Sequence, residues 1–114
     1  MPSDESTLLD ILQAARRAVE GLGNSPLQSF IRDWKAQSIV EHQLLVLGEA
    51  VKRLSWEFRD RYRDVPWRQM AGLRDVLMHG YDIVDLETVW TVVVRDLPPF
   101  ISFLESLDRP EGEQ

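Results

Sequence analysis

The chain of 114 residues contains no cysteine, which excludes a disulfide framework, a thiolate metal site and a cysteine nucleophile. It also has no glycine-rich phosphate loop, no Ser-His-Asp set and no zinc-ligand spacing. The longest apolar stretches, residues 44–47 and 92–94, are far too short to span a bilayer. The first ten residues are acidic and hold no apolar run, so we expect no signal peptide and a cytoplasmic location.

Length and composition predict one globular domain. Hydrophobic residues make up 44% of the chain and charged residues 28%, which is typical of a folded protein. We expect a single domain over residues 1–114, with a core of about residues 5–105 and a flexible tail at 108–114.

The net charge of −6 is unevenly distributed. Residues 1–51 carry −3 and residues 75–114 carry −7, whereas residues 52–74 carry +4. The acidic segments would repel a polyanion, so any polyanion would be met by the middle of the chain. The competing interpretation is that arginines beside Asp60 and Asp64 form solvated ion pairs.

Hydrophobic periodicity predicts an all-α fold. Apolar residues recur in steps of three and four along three segments, which is typical of helices packed in a bundle. The clearest stripe is formed by Val40, Leu44, Leu47, Val51, Leu54 and Phe58.

Turn and cap residues predict where these helices begin and end. The first helix should end at residues 21–24, and Ser25-Pro26 should begin a short second helix. Asp33 should cap a third helix that runs to about Asp60. A fourth should open at Asp64 and Pro66 and close at Gly80. Asp85 should cap the last, which Pro98-Pro99 should kink or break. The expected fold is an up-down four-helix bundle with one short extra helix.

The segment RDVLMHGY, residues 74–81, carries the sharpest functional signal. Arg74 and His79 lie five residues apart, roughly 140° around a helix, so they flank one face. Asp75 stands four residues before His79, where its carboxylate could accept the imidazole N–H and fix the tautomer. Tyr81 follows Gly80 and should expose its hydroxyl. From these residues alone, a structural role is the favoured interpretation for His79 at the helix C-terminus, and more so for Tyr81.

Several blocks together resemble the HepT-like toxins of the HEPN superfamily. The Arg-x-x-x-x-His-x-Tyr pattern at 74–81 is similar to the signature of that group. LGEAVKRLS (47–55), RYRDVPWRQMAGLRD (61–75) and DLETVWTVVVRDLPPF (85–100) resemble its other characteristic blocks, in the same order.

This resemblance implies an all-α, homodimeric, metal-independent ribonuclease without a cofactor. It also implies a partner antitoxin, an MntA-like minimal nucleotidyltransferase, that transfers AMP onto the motif tyrosine. Carried over by position, Arg74 and His79 would be catalytic and Tyr81 the modified residue. Many relatives have asparagine where this chain has Asp75, whose carboxylate puts negative charge near an RNA phosphate.

Metal-independent RNA cleavage needs a base, a cation and an acid. His79 can serve as base or acid, and Arg74 can bind phosphate. One chain offers a single imidazole, so apposing two copies would supply both proton-transfer groups.

Two further predictions concern residues around this motif. Glu49 should pair with Arg53 on the third helix, and its place in the Gly-Glu-Ala block leaves a supporting role near the dimer cleft open. The basic segment, residues 52–74, contains several aromatic residues. Among these, Tyr62 is the candidate for stacking on RNA bases.

Two functional hypotheses therefore remain. The chain is a ribonuclease toxin, or it is a non-catalytic helical bundle that binds a nucleotidyltransferase partner. Asp75 is the residue that favours the second. A general helical scaffold would suit the net charge of −6 but would leave RDVLMHGY unexplained.

Overall fold

The regular elements of the chain are helices throughout the part that the structure describes. The structure, a computed structural model, describes residues 3–78 and 85–107. The elements in chain order are α1 (Asp4–Leu22), α2 (Leu27–Phe30), α3 (Trp34–Val51), α4 (Trp56–Arg61), α5 (Trp67–Ala71), α6 (Leu73–Met78), α7 (Leu86–Thr91), a π-helix (Val92–Asp96) and α8 (Leu97–Leu107). The predicted all-α fold class is confirmed.

The two long helices α1 and α3 form an antiparallel pair at the centre of the bundle. Asp4 at the start of α1 hydrogen-bonds Ser55, just beyond α3. Gly21, near the other end of α1, lies directly against Ile39 near the start of α3. The whole predicted stripe from Val40 to Phe58 is buried. Apolar side chains of α6 and of the helices after residue 85 pack onto the same core, namely Leu73, Leu77, Val89, Val93, Leu97, Phe100 and Leu104.

Several helix ends follow the predicted caps. Asp33 accepts a hydrogen bond from the Ala36 amide at 3.0 Å and begins α3, and Asp85 accepts one from the Thr88 amide at 3.1 Å and begins α7. These bonds satisfy amide donors that the first turn of a helix leaves unpaired. Gly23 ends α1 with a φ of +63°, a backbone conformation that residues other than glycine rarely adopt.

The predicted cap of α2 is wrong. Pro26, not Ser25, is the N-cap residue of this helix, and it makes no side-chain cap bond. The Ser25 carbonyl instead accepts a hydrogen bond from the Trp90 indole at 3.0 Å.

The third helix ends earlier than predicted. It stops at Val51 rather than near Asp60, and α4 begins after Ser55. Ser55 caps α4 by accepting the Phe58 amide at 3.1 Å. The Asp4 carboxylate fixes Ser55 in turn, accepting its amide at 2.9 Å and its hydroxyl at 2.6 Å. The hydrophobic stripe runs through this break unchanged, so periodicity alone does not reveal it.

The predicted fourth helix is divided in two. Pro66 precedes α5, which ends at Gly72, and α6 follows at once. Gly80, its predicted end, lies outside the described residues.

The paired prolines do not break the last helix. Pro98 and Pro99 occupy the second and third positions of α8, directly after the π-helix. The Leu97 amide reaches back five residues to the Val92 carbonyl, which is the hydrogen bond of a π-helix. The first turn of α8 also tolerates residues without an amide hydrogen. The chain therefore changes helix type where a kink or break was expected.

No helix in residues 3–78 or 85–107 combines the length and the apolar character needed to cross a membrane.

Candidate active site

Arg74 lies on the outer face of the short helix α6. Leu73 and Leu77 on the same helix are buried and anchor it to the bundle. The Arg74 side chain is 57% exposed, and its Nη1 atom lies 3.6 Å from Oε1 of Glu49 on α3. The guanidinium is therefore held near a carboxylate while most of it stays open to solvent.

A glycine on α3 allows α5 and α6 to come close to that helix. A Cβ atom at Gly48 would lie 3.1 Å from the Met70 carbonyl oxygen and 3.5 Å from the Leu73 Cβ. The first distance is tighter than ordinary van der Waals contact. Because Gly48 precedes Glu49, this close approach also brings the Glu49 carboxylate within reach of Arg74.

Glu49 contacts two cations. Its Oε1 atom lies 3.4 Å from Lys52 Nζ as well as 3.6 Å from Arg74 Nη1. The predicted pair between Glu49 and Arg53 is wrong, because Arg53 lies 3.4 Å from Asp10 on α1 instead. The three side chains Glu49, Lys52 and Arg74 therefore carry a net charge of +1 on an exposed surface.

Asp75 is exposed beside Arg74. Its amide donates to the Gly72 carbonyl at 3.0 Å, which ties the start of α6 to the turn before it. Within residues 3–78 and 85–107 its carboxylate forms no ion pair. Val76, the next residue, is also outward-facing, with 37% of it exposed.

His79 and Tyr81 lie outside the described residues. The predicted contact between Asp75 and His79, the separation of Arg74 from His79 and the exposure of the Tyr81 hydroxyl therefore stay predictions. So does the supporting role of Glu49, although this residue does lie beside Arg74.

A mostly apolar groove of about 760 Å³, whose lining also includes Arg61, Asp64, Arg95 and Asp96, adjoins the face of α6 that bears Val76. Its wall includes Leu73 and Val76 of α6, Val92 of the π-helix and Phe103 of α8. No group of three or more His, Asp or Glu side chains in the described ranges is close enough to hold a metal ion.

Tyr62, the predicted base-stacking residue, belongs to an aromatic cluster instead. Its ring centroid lies 4.9 Å from that of Phe58 and 5.4 Å from that of Phe103. Trp67 joins the cluster, 5.8 Å from Phe58, and is only 5% exposed. Tyr62 is thus half-buried and contributes to packing.

Trp56 is the aromatic residue that the sequence reasoning missed. It is 80% exposed, and the guanidinium of Arg59 lies over its ring, 4.9 Å from the centroid. The signal was present in the sequence, because Trp56 falls between Leu54 and Phe58 and outside their hydrophobic stripe.

The fold is an all-α bundle, and it displays the arginine of the Arg-x-x-x-x-His-x-Tyr block on an exposed helix. Fold and motif together indicate a HEPN-like helical protein. The family described as "Ribonuclease HepT-like" matches residues 9–107. The chain belongs to this HepT-like ribonuclease family.

Similar proteins of other organisms are named as ribonucleases, which agrees with membership of this family. A protein of Methanocaldococcus jannaschii named as a "Putative RNase" is 36% identical over 107 residues, covering 93% of this chain and 88% of its own. The "Probable ribonuclease HepT" of Thermococcus cleftensis is 33% identical over 105 residues, covering 92% and 96%. No solved structure matches the chain significantly. The predicted family and its ribonuclease class are confirmed.

Proposed function

We propose that this chain is the metal-independent ribonuclease toxin of a two-gene toxin–antitoxin pair, and that it acts on RNA in the cytoplasm as a homodimer. The observation that carries the proposal is the exposed Arg74 guanidinium, held beside Glu49 at 3.6 Å within a family-like motif. Family membership supplies the reaction class, and the local charge favours an anionic substrate.

Arg74 has the properties needed to stabilise charge on a phosphate. Its guanidinium stays protonated and presents a planar fork that can donate two hydrogen bonds to phosphate oxygens. The ion pair with Glu49 is exposed, and such pairs contribute only about 0–1 kcal/mol. A substrate phosphate can therefore replace Glu49 as the partner of Arg74, with Lys52 adding a second positive charge.

His79 would carry the proton transfers. As a base, its imidazole would take the proton from a ribose 2′-hydroxyl, whose oxygen then attacks the adjacent phosphorus and displaces the 5′-oxygen. As an acid, an imidazolium would protonate that leaving oxygen. Two apposed copies would divide these roles between two His79 side chains.

An apolar surface on the other flank of α6, roughly 200° around the helix from Arg74, suits contact with a second copy of the chain. Val76 is exposed on the same helix, and the apolar groove lined by Leu73, Val76 and Val92 lies alongside. Covering this apolar surface would be favourable, and a second copy packed there would bring the two α6 helices, which carry the two motifs, close together.

Modification of Tyr81 would inhibit the ribonuclease activity. An MntA-like minimal nucleotidyltransferase would join the tyrosine oxygen to the α-phosphorus of ATP and release pyrophosphate. The attached AMP would put phosphate charge two residues from His79, where it would compete with RNA for Arg74.

The decisive experiment compares variants on total RNA in the presence of a chelator. We expect His79→Ala to reduce the cleavage rate about 10²- to 10⁴-fold, and Arg74→Ala about 10²- to 10³-fold. Arg53→Ala is the matched control, since Arg53 also forms an exposed ion pair, with Asp10 at 3.4 Å. Circular dichroism checks that each variant is folded. Cleavage that survives His79→Ala at the wild-type rate would contradict the proposal.

The second candidate function is a non-catalytic bundle that binds a nucleotidyltransferase. The observation favouring it is the exposed Asp75 next to Arg74, which places a negative charge where RNA phosphate would have to lie. This function predicts a stable hetero-complex and no RNA cleavage at any protein concentration.

A further inference from the structure

A groove on the basic segment combines an exposed indole with three arginines. It has a volume of about 710 Å³ and lies along α4, α5 and the turn between them. The lining residues that matter for recognition are Trp56, Arg59, Asp60, Arg63, Arg68 and Ala71. These residues carry a net charge of +2, although the whole chain carries −6. The groove is therefore a local exception in an acidic protein.

The Trp56 ring is held in place while most of it stays open. The Arg59 guanidinium lies 4.9 Å from the ring centroid, and the same guanidinium donates to the Val51 carbonyl at 2.7 Å. Arg59 is thereby fixed between the end of α3 and the indole. Because Trp56 is 80% exposed, the ring face away from Arg59 is available to a planar ligand.

The other arginines can contact a chain of phosphates. Arg63 lies 3.4 Å from Asp60, and more than three-quarters of both side chains is exposed, so this pair is weak and exchangeable. Arg68 is exposed on α5 and forms no ion pair with any residue in 3–78 or 85–107. An indole with adjacent guanidinium groups is the combination that binds single-stranded nucleic acid by base stacking and phosphate contact.

We infer that this groove binds the single-stranded RNA substrate at nucleotides flanking the cleavage position, with one base stacked on Trp56 and the neighbouring phosphates on Arg63 and Arg68. The lining of the groove includes Ala71, three residues before Arg74, so the groove and the motif belong to neighbouring parts of the chain. The inference rests on the ribonuclease function proposed above.

The test measures binding of a fluorescein-labelled, single-stranded 2′-O-methyl oligonucleotide, which has no free 2′-hydroxyl and cannot be cleaved by this chemistry. We expect Trp56→Ala to weaken binding about five- to 150-fold, as loss of one stacked base does. Trp34→Ala is the matched control and should leave affinity unchanged. Trp34 is also exposed, by 69%, and also has a cation at its ring, Lys35 Nζ at 5.8 Å, but it is no part of the groove.

Two further measurements separate base stacking from general attraction. Arg68→Gln should lower the slope of log affinity against log salt by about 0.7, the value for one phosphate contact on a single strand, whereas the exposed Arg17→Gln on α1 should not. An oligonucleotide of abasic sites should bind wild type and Trp56→Ala equally.

Two results would overturn the inference. One is equal affinity of wild type and Trp56→Ala for the 2′-O-methyl strand. The other is full competition by a poly-glutamate peptide of the same charge, which would identify a site for an acidic protein partner. Both are independent of the His79→Ala cleavage assay, so a failure of this site is distinguishable from a failure of the ribonuclease proposal.

Discussion

The central helix pair and the basic segment are built in different ways. Helices α1 and α3 have 19 and 18 residues and meet through a continuous buried stripe. The segment from residue 52 to 78 is divided among α4, α5 and α6, none longer than six residues. Each of these helices buries only one or two side chains, such as Phe58, Trp67 and Leu73, and a few polar contacts and one close glycine contact complete its placement. Short helices with few buried side chains have lower local stability. The long helices α1 and α3 therefore support α4, α5 and α6, whose arrangement depends on individual contacts.

The largest loss of stability should come from a substitution in the central helix pair, α1 and α3. Leu44 is 1% exposed, so Leu44→Ala should lower the free energy of unfolding by about 2–5 kcal/mol through lost burial and a cavity. Val46→Ala on the same helix is the control, because Val46 is 37% exposed, and it should cost less than about 0.5 kcal/mol. Urea unfolding measures both. Equal losses would show that the pair is not the stable part of the fold.

A smaller loss of stability should follow Gly48→Val, at the junction of the two regions. The new side chain would meet the Met70 carbonyl oxygen, 3.1 Å from the Cβ position, and overpacking of this kind costs about 1–3 kcal/mol. Displacement of α5 and α6 should also lower RNA cleavage through Arg74. Gly72→Ala is the control, since its Cβ would lie 3.4 Å from the nearest atom. Full activity in Gly48→Val would show that this contact does not position Arg74.

The smallest loss of stability should come from removing the contact between Asp4 and Ser55, which lies near the start of the basic segment. Hydrogen bonds from the Ser55 side chain and backbone lower the pKa of Asp4. A lowered pKa stabilises the fold above the pKa of an unfolded aspartate, about 3.9, and this contribution is lost as the pH falls through the folded value. Asp4→Asn weakens the two hydrogen bonds from Ser55, and the loss of a hydrogen bond of this kind costs about 1 kcal/mol.

Urea unfolding of Asp4→Asn at several pH values checks this. The difference from wild type should shrink as the pH falls below about 4. Asp10→Asn removes only the exposed pair with Arg53 at 3.4 Å and should change stability by less than about 1 kcal/mol. A loss in Asp4→Asn that persists at acidic pH would argue against a role for the ionised carboxylate.

Sequence reasoning was accurate where the information is local. The buried stripe from Val40 to Phe58 and the caps Asp33 and Asp85 each depend on residues within a few turns of one another. The family was identified from four blocks in order, and the profile match at residues 9–107 bears this out.

Several of the errors arose where the outcome depends on contacts between residues far apart in the sequence. The break after Val51 depends on Asp4, which bonds Ser55 across 51 positions of sequence. Arg53 pairs with Asp10 across 43 positions, and Tyr62 packs on Phe103. Such contacts follow from the packing of helices, which periodicity does not specify. The exposure of Trp56 is a different case, because its position outside the stripe of Leu54 and Phe58 could be read from the sequence.

The Asp4 carboxylate makes a segment in the middle of the chain depend on the first residues of α1. Its two oxygens fasten Ser55, and the next residue along is the exposed Trp56. Trimming the first few residues, or fusing a bulky tag against them, would loosen the indole and Arg59 while the interior stayed intact. For anyone purifying this protein, the choice of tag position is therefore also a choice about the groove that we infer to bind RNA.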